Sequence, residues 1–509
     1  MTPAKRTIAI SGNDLTLSHL YQAVLERFEV TLADDARERM TASRAVVERL
    51  ATGADAVYGI NTGFGALASV RIQPDQIREL QFNLVRSHAC GVGAPLNAEE
   101  TRTVILLRAN ALAKGFSGVR PVVVETLLAM LNADALPVIP SQGSVGASGD
   151  LAPLAHLALA AIGEGEATYK GEKLTGGEAL RKAGIAPLSI EAKEGLALLN
   201  GTQGMLALLS LGLREAEILI DSADVAAALS LDALRGSPAA FDERISRIRP
   251  YPGQAATARN LIRLNRGSEI RESHRSAEKD PRVQDAYSLR CTPQVHGAVR
   301  DSLSQVRTTI SIELNSATDN PLVFADSGEV VSGGNFHGQP LAMAADQVAI
   351  ALATAAGISE RRMEHMTNPH TSLLPAFLTA DPGLNSGFMI AQVVAASLVS
   401  ELKTLSTPHS VDSIPTSGDQ EDYVSMGMSA ARRLGRMIEA LRNVIAIELL
   451  AACQGIDLQA PLRTGMEARK AYALVREVSP VVHTDRSLAP DISAVGRLIA
   501  EGKFQKLLA

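Results

Sequence analysis

The segment from Gly143 to His156 reads GSVGASGDLAPLAH, and within it Ala147, Ser148 and Gly149 are three small residues in a row behind a glycine. Minimal side chains let a peptide nitrogen bend back onto the carbonyl carbon two residues earlier. If the nitrogen of Gly149 attacks the carbonyl of Ala147, one water leaves there and a second leaves from the Ser148 side chain. The product is a five-membered ring carrying a conjugated exocyclic alkene, an electrophile that none of the twenty ordinary side chains supplies. Other routes to chemistry have less to recommend them. Gly63-Phe64-Gly65 followed by Ala68 imitates part of a dinucleotide-binding fingerprint, but neither a strand-helix-strand pattern nor a suitably spaced acidic residue accompanies it. There is no phosphate-binding G-x-x-x-x-G-K-[ST] loop, and His365 and His370 do not form an H-E-x-x-H pair, so neither a nucleotide cofactor nor a metal is expected.

Further clusters of glycine and small polar residues punctuate the chain: YGINTGFG from Tyr58, NLVRSHACGVG around His88, EGLALLNGTQ, QDAYSLRCTPQVHGA from Gln284, NSATDNPLVF, GGNFHGQP around Phe336, GLNSGFMIAQ and DQEDYVSMG around Glu421. Together with GSVGASGDLAPLAH, these segments resemble, in order and over nearly the whole chain, the aromatic amino acid ammonia-lyases, the family of histidine, phenylalanine and tyrosine ammonia-lyases. The resemblance implies that Ala147-Ser148-Gly149 cyclises unaided to 4-methylideneimidazol-5-one (MIO). It also implies that the reaction is loss of ammonia from an aromatic L-amino acid, leaving a trans-α,β-unsaturated acid.

Such a reaction needs a base for a weakly acidic β-proton, an electrophile that makes the amine a leaving group, and a cation for the carboxylate. By resemblance Tyr58 is the base. A phenol titrates near ~10, so positive surroundings or helix N-termini are expected around it. Arg290 matches the carboxylate clamp, where a guanidinium offers a planar bidentate fork. Tyr287, three residues earlier and on the same face, resembles the tyrosine that assists near the MIO. Asn200 faces substrate and MIO, and Gln203 beside it is a buried amide in need of a partner. Gln284 and Phe336 match pocket-lining positions, Asn335 is a secondary candidate, and Asp150 is placed to hold the reactive loop. The family is a homotetramer whose sites draw residues from more than one subunit, and the same is expected here.

Substrate choice falls to His88 and Glu421. A Ser-His pair such as Ser87-His88 resembles the histidine-specific members, whereas phenylalanine enzymes tend to be apolar there. A carboxylate at Glu421 can accept an imidazole N–H and favour its cation. The expected substrate is therefore L-histidine, giving trans-urocanate. Tyrosine, and less readily phenylalanine, giving coumarate or cinnamate, remain alternatives, as does an MIO aminomutase that re-adds ammonia at the β-carbon. The segment departs from the histidine-specific form at Asp419 and Tyr423, and Leu402 stands where an Asn is common. If Ser148 never cyclised, the protein would be a helical scaffold or binding protein.

These residues must be held by helices. Ala36, Met40, Ser43, Val47 and Leu50 recur by three and four, the period of an amphipathic helix. Helical segments are predicted at about 75–90, 98–114, 120–133, 150–162, 193–235, 297–316, 340–365, 386–405 and 425–453. Thr168 to Leu174 alternates around Lys-Gly as a hairpin, and Thr7 to Ile10 is a short strand. The predicted fold is mainly α: a large bundle of long helices, with a smaller N-terminal part that carries the MIO loop and short strands. A domain of 1–205 would hold that loop and the Tyr58 loop, and 206–509 would form the long-helix bundle and C-terminal helices.

Composition agrees with a folded body rather than a disordered one, since 46% of the 509 residues are hydrophobic and 20% charged. A net charge of -6 argues against a grip on nucleic acid or an anionic membrane, and leaves a small amino acid as the partner. Cys90, Cys291 and Cys453 suit free thiols in a reducing cytoplasm. The N-terminus lacks an apolar export signal. Gly195 to Leu213 is uncharged over 19 residues, but Asn200, Thr202 and Gln203 make it a buried bundle helix rather than a membrane span.

Overall fold

A computed structural model of the chain describes residues 6–53, 55–63, 65–67, 69–276, 278–280 and 282–508; Phe64 and Ala68 of the dinucleotide-like stretch lie outside the described residues. It is 58% helix and 8% strand, a mainly α protein built on long helices. The longest are Gln203–Ala233, Gln339–Thr367, Leu434–Asp457 and Thr292–Glu313. Gln339–Thr367 is long and apolar enough to cross a bilayer by composition, yet 67% of its apolar window is buried within the protein.

Two compact units emerge, one of Met1–Leu211, Arg307–Asp346 and Pro408–Arg432, the other of Gly212–Val306, Gln347–Thr407 and Arg433–Ala509. The expected boundary at 205/206 therefore moves to 211/212, and the second half does not stay in one block. Burial explains part of this. Val323, on the strand Leu322–Phe324, is fully buried in a cluster with Val46, Val47, Ile60, Ile77 and Ala192, all residues of the N-terminal half. Removing that apolar surface from water ties the 307–346 segment to the first unit.

Local signals account for several helix ends of the first unit. Asn97 and Thr175 each cap a helix through a reciprocal box with Glu100 and Glu178, satisfying otherwise unpaired N–H groups. The Pro121–Ala133 helix opens on its proline, and Gly184 closes Gly176–Ala183 in the left-handed region. The amphipathic stretch is the helix Asp34–Ala51, which buries Ala36, Met40, Ser43 and Val47. Strand Thr7–Ile10 pairs in parallel with Glu29–Leu32. The hairpin pairs Glu166–Tyr169 with Glu172–Thr175, and both turn residues, Lys170 and Gly171, have positive φ. One segment differs from expectation: the helix foreseen over 193–235 is two, Glu194–Leu199 and Gln203–Ala233, broken where Asn200 turns extended.

The second unit buries an ion pair. Arg362 and Glu448 are wholly buried and paired, Nη2 to Oε2 at 3.0 Å, and the same carboxylate accepts hydrogen bonds from Ser230 (2.7 Å) and Ser359. Removing one partner leaves an uncompensated interior charge, a far larger cost than losing a surface pair. Glu448→Ala is expected to destabilise the protein by about 3 to 5 kcal/mol, seen as a lower urea midpoint; an unchanged midpoint would contradict the reading.

Candidate active site

The reactive segment sits on a short β-link and a helix. Strand Pro140–Gln142 pairs with Val92–Pro95, and after the loop 143–149 the chain enters the helix Leu151–Ala161. That helix packs on Ile77–His88 and on Glu194–Leu199, so the segments holding His88, Ser148 and Asn200 converge. The loop is fastened from several sides: Gly146 O accepts from Gly338 N (2.9 Å) and Ser425 Oγ (2.7 Å), and Val145 O accepts from Met426 N (2.8 Å). Ser148 and Gly149 both have positive φ, +53° and +73°, a region in which a serine is strained.

Gly149 is required by space as well as by φ. A Cβ there would fall 2.0 Å from Gly201 O, and that same carbonyl accepts from Asp150 N at 2.8 Å. Ala147 is buried and Ser148 lines the cavity, so the three residues present fit a cyclised Ala-Ser-Gly. Asp150 braces the loop: its carboxylate accepts from Ser144 Oγ (2.8 Å) and Met205 N (2.8 Å). Burial raises its carboxyl to about 6. A carboxyl raised in the folded state favours folding fully only below its unfolded value, ~3.9, and that contribution is lost as pH climbs through about 6. In Asp150→Asn the amide can accept from Met205 N and donate to Ser144 Oγ. The variant is therefore expected to match or exceed the parent's thermal midpoint near pH 8 and to lose any advantage near pH 4. The opposite trend would show that the ionised group is what stabilises the loop.

A cavity of about 930 Å³ opens beside Ser148. Tyr58, His88, Ser148, Asn200, Phe336 and Glu421 all line it. Ser148 Oγ donates to Glu421 Oε1 at 3.0 Å, and Thr416 Oγ1 donates to the other carboxylate oxygen at 2.8 Å. His88 Nδ1 lies 2.9 Å from Leu84 O; donating there leaves Nε2 as an acceptor, and burial lowers the imidazole pKa, favouring the neutral ring. Asn200 donates through Nδ2 to Asn320 O (3.0 Å), while its buried Oδ1 has no partner among the described residues. The hydroxyl of Tyr58 accepts from Gly65 N at 3.4 Å. Positive surroundings were expected for it, but the charges near it are carboxylates: burial first, then Glu421 and Asp319, raise the phenol pKa.

Gln284, Tyr287 and Arg290 belong to the second unit and are not among the residues lining this cavity. Gln284 and Tyr287 are exposed, and the Arg290 guanidinium stacks 4.4 Å from the Tyr287 ring centroid, so these two share a face as expected. Gln203 lies behind the cavity rather than on it, and Asn335 is turned away to Ala317 O. Asp419 and Tyr423 do not line the cavity either; Tyr423 stacks on His337, and Leu402 is a buried residue of the second unit. Lining residues that motif reading did not single out include Asn83 and Leu84, one turn ahead of Ser87 and His88, Leu80 a further turn back, and Gln420 beside Glu421. Helical spacing back from His88 would have found the first three. Among the described residues no group of three or more His, Cys, Asp or Glu could hold a metal ion.

The family model described as aromatic amino acid lyase matches residues 15–477. A histidine ammonia-lyase of Koribacter versatilis (strain Ellin345) is 54% identical, the alignment covering 98% of this chain and 99% of that protein. The crystal structure of histidine ammonia-lyase from Trypanosoma cruzi superimposes with a TM-score of 0.91 at 44% identity, covering 99% of this chain and 95% of that one. A tyrosine aminomutase from Streptomyces globisporus gives 0.94 at 39% identity, with 98% of each chain covered.

Proposed function

The chain belongs to the aromatic amino acid lyase family, and from that premise we propose that it eliminates ammonia from L-histidine to give trans-urocanate. The observation that carries the substrate is the pair of acceptors on the cavity wall, neutral His88 Nε2 and the Glu421 carboxylate. A neutral imidazole offers one N–H donor, but its cation, which the Glu421 carboxylate favours, offers two and so meets both acceptors. A phenol has a single O–H and a phenyl ring none, so tyrosine and phenylalanine leave an acceptor unpaired at a cost of about 1 to 3 kcal/mol. The identity of the relatives points the same way.

The MIO formed from Ala147, Ser148 and Gly149 would supply the electrophile that turns the amine into a leaving group. The chain's own residues do the rest. Tyr58 takes the β-proton from the side of the cavity where Gly65 N meets its hydroxyl. Asn200, with an unpartnered Oδ1, orients the amino group, and Phe336 forms an apolar wall. Once Ser148 has lost its hydroxyl, Glu421 Oε1 is released to accept from the imidazole. Gln284, Tyr287 and Arg290 are assigned to the site of another copy in a homotetramer, with Arg290 clamping the substrate carboxylate. The exposure of Gln284 and Tyr287, and the placement of all three outside the unit that lines the cavity, support this. No nucleotide or metal is invoked.

Ultraviolet absorbance of the purified protein with L-histidine, L-tyrosine and L-phenylalanine in separate cuvettes tests the reading, together with the intact mass. Urocanate from histidine and a chain two waters short of its encoded mass are expected. Coumarate or cinnamate would overturn the role given to His88 and Glu421, a β-amino acid product would make the protein an aminomutase, and an unshifted mass would remove the electrophile.

A further inference from the structure

The break at Asn200 rests on a cation buried outside the cavity. Arg108, on the helix Ala98–Ala113, is fully buried and does not line the cavity. Its Nη1 donates to Asn200 O at 2.9 Å and to Gln203 Oε1 at 2.6 Å, and Gln203 in turn donates through Nε2 to Thr318 Oγ1 at 2.9 Å. Burying a guanidinium is costly unless it is compensated. Asp319 supplies the nearby negative charge while itself paired with buried Lys193 at 2.6 Å. Enclosing the polar and ionic groups of Arg108, Asn200, Gln203, Thr318, Asp319 and Lys193 would be an expensive way to end a helix, which glycine alone could do.

What the network touches explains it. A Cβ on Gly201 would fall 2.3 Å from Arg108 Nη1 and 2.3 Å from Gln203 Oε1, so the turn lies directly against the guanidinium. On its other side Gly201 presents the carbonyl that accepts from Asp150 N and that leaves no room for a side chain on Gly149. We propose that Arg108 is a positioning residue for both stages of this protein's chemistry. It holds the Asn200-Gly201 turn as the wall behind Ala147-Ser148-Gly149 while the ring forms, and afterwards keeps the Asn200 amide aimed at substrate. This rests on the reading that the three residues cyclise.

The test measures intact mass, thermal midpoint and histidine kinetics for the wild type, Arg108→Met, Arg108→Lys and Gly201→Ala. Lys keeps the charge but not the planar guanidinium whose Nη1 meets both acceptors, and serves if the Met variant does not fold. Gly201→Ala drives a methyl between Arg108 and Gln203. The expected result is a large uncyclised fraction in each folded variant, two waters heavier than the wild type. For the cyclised fraction, kcat per site falls about 10- to 100-fold while KM moves far less. A merely structural role would lower the midpoint and leave both readouts alone. A wild type two waters short, with Arg108→Lys and Gly201→Ala equally short and as active per site, overturns the role of Arg108. An unshifted wild-type mass instead overturns the cyclisation reading, and the proposal with it.

Discussion

Ser148→Ala is expected to abolish turnover, with kcat falling on the order of 10⁴-fold or more. Alanine has no hydroxyl to lose, so no exocyclic alkene can form whatever the backbone does, and the mass can never come out two waters short. The surroundings should be preserved, because Ala147 and Gly149 keep their places and the loop is fastened through main-chain atoms of Val145 and Gly146. Losing the Oγ also frees Glu421 Oε1. The variant should therefore still bind L-histidine in equilibrium dialysis while making no urocanate. A rate within about tenfold of the wild type would mean that the amine leaves without the electrophile, which no other group in the cavity explains.

Tyr58→Phe removes only an oxygen, and the expected loss in kcat/KM is about 10²- to 10⁴-fold, the range of a positioned general base. Its pH signature is more diagnostic than its size. Burial, Glu421 and Asp319 raise the phenol pKa, against a smaller opposing effect from Gly65 N. At neutral pH the proton stays on, and the base-competent phenolate grows tenfold with each unit of pH until the raised value is reached. After correction for ionisation of histidine itself, log kcat/KM of the wild type should climb into the alkaline range, and Tyr58→Phe should be flat there. If the variant keeps the climb, the base is another residue.

Much of the molecule is readable locally. The 36–50 periodicity needs only the apolar stripe of one helix, and the Lys170-Gly171 hairpin only its turn residues. What escaped depends on distant partners. The Asn200 carbonyl at the break is met by Arg108, 92 positions away, which no window over 193–235 contains. The division into two units is equally hidden, since its cuts at 211/212, 306/307 and 346/347 fall inside continuous helices and no linker composition marks them. In the site, Tyr58, His88, Ser148, Asn200, Phe336 and Glu421 were legible because each stands in a compact motif. Asn320, inside NSATDNPLVF, and Ser332, directly before GGNFHGQP, line the same cavity, but nothing in those segments singles either residue out. Asp150 was legible for a different reason: a carboxylate directly after a strained loop has few other places to point.

The hydrogen bond from Ser148 to Glu421 bears on anyone wishing to retrain this pocket for other amino acids. A randomised library that includes position 421 alters the surroundings of the precursor loop as well as the recognition of the ligand, so inactive clones would be ambiguous between chains that never ripened and chains that ripened but bind nothing. Asn83 and Gln420 line the same cavity, whereas the hydrogen-bond partner of Ser148 is Glu421, and diversity placed at those two positions keeps screening closer to selectivity.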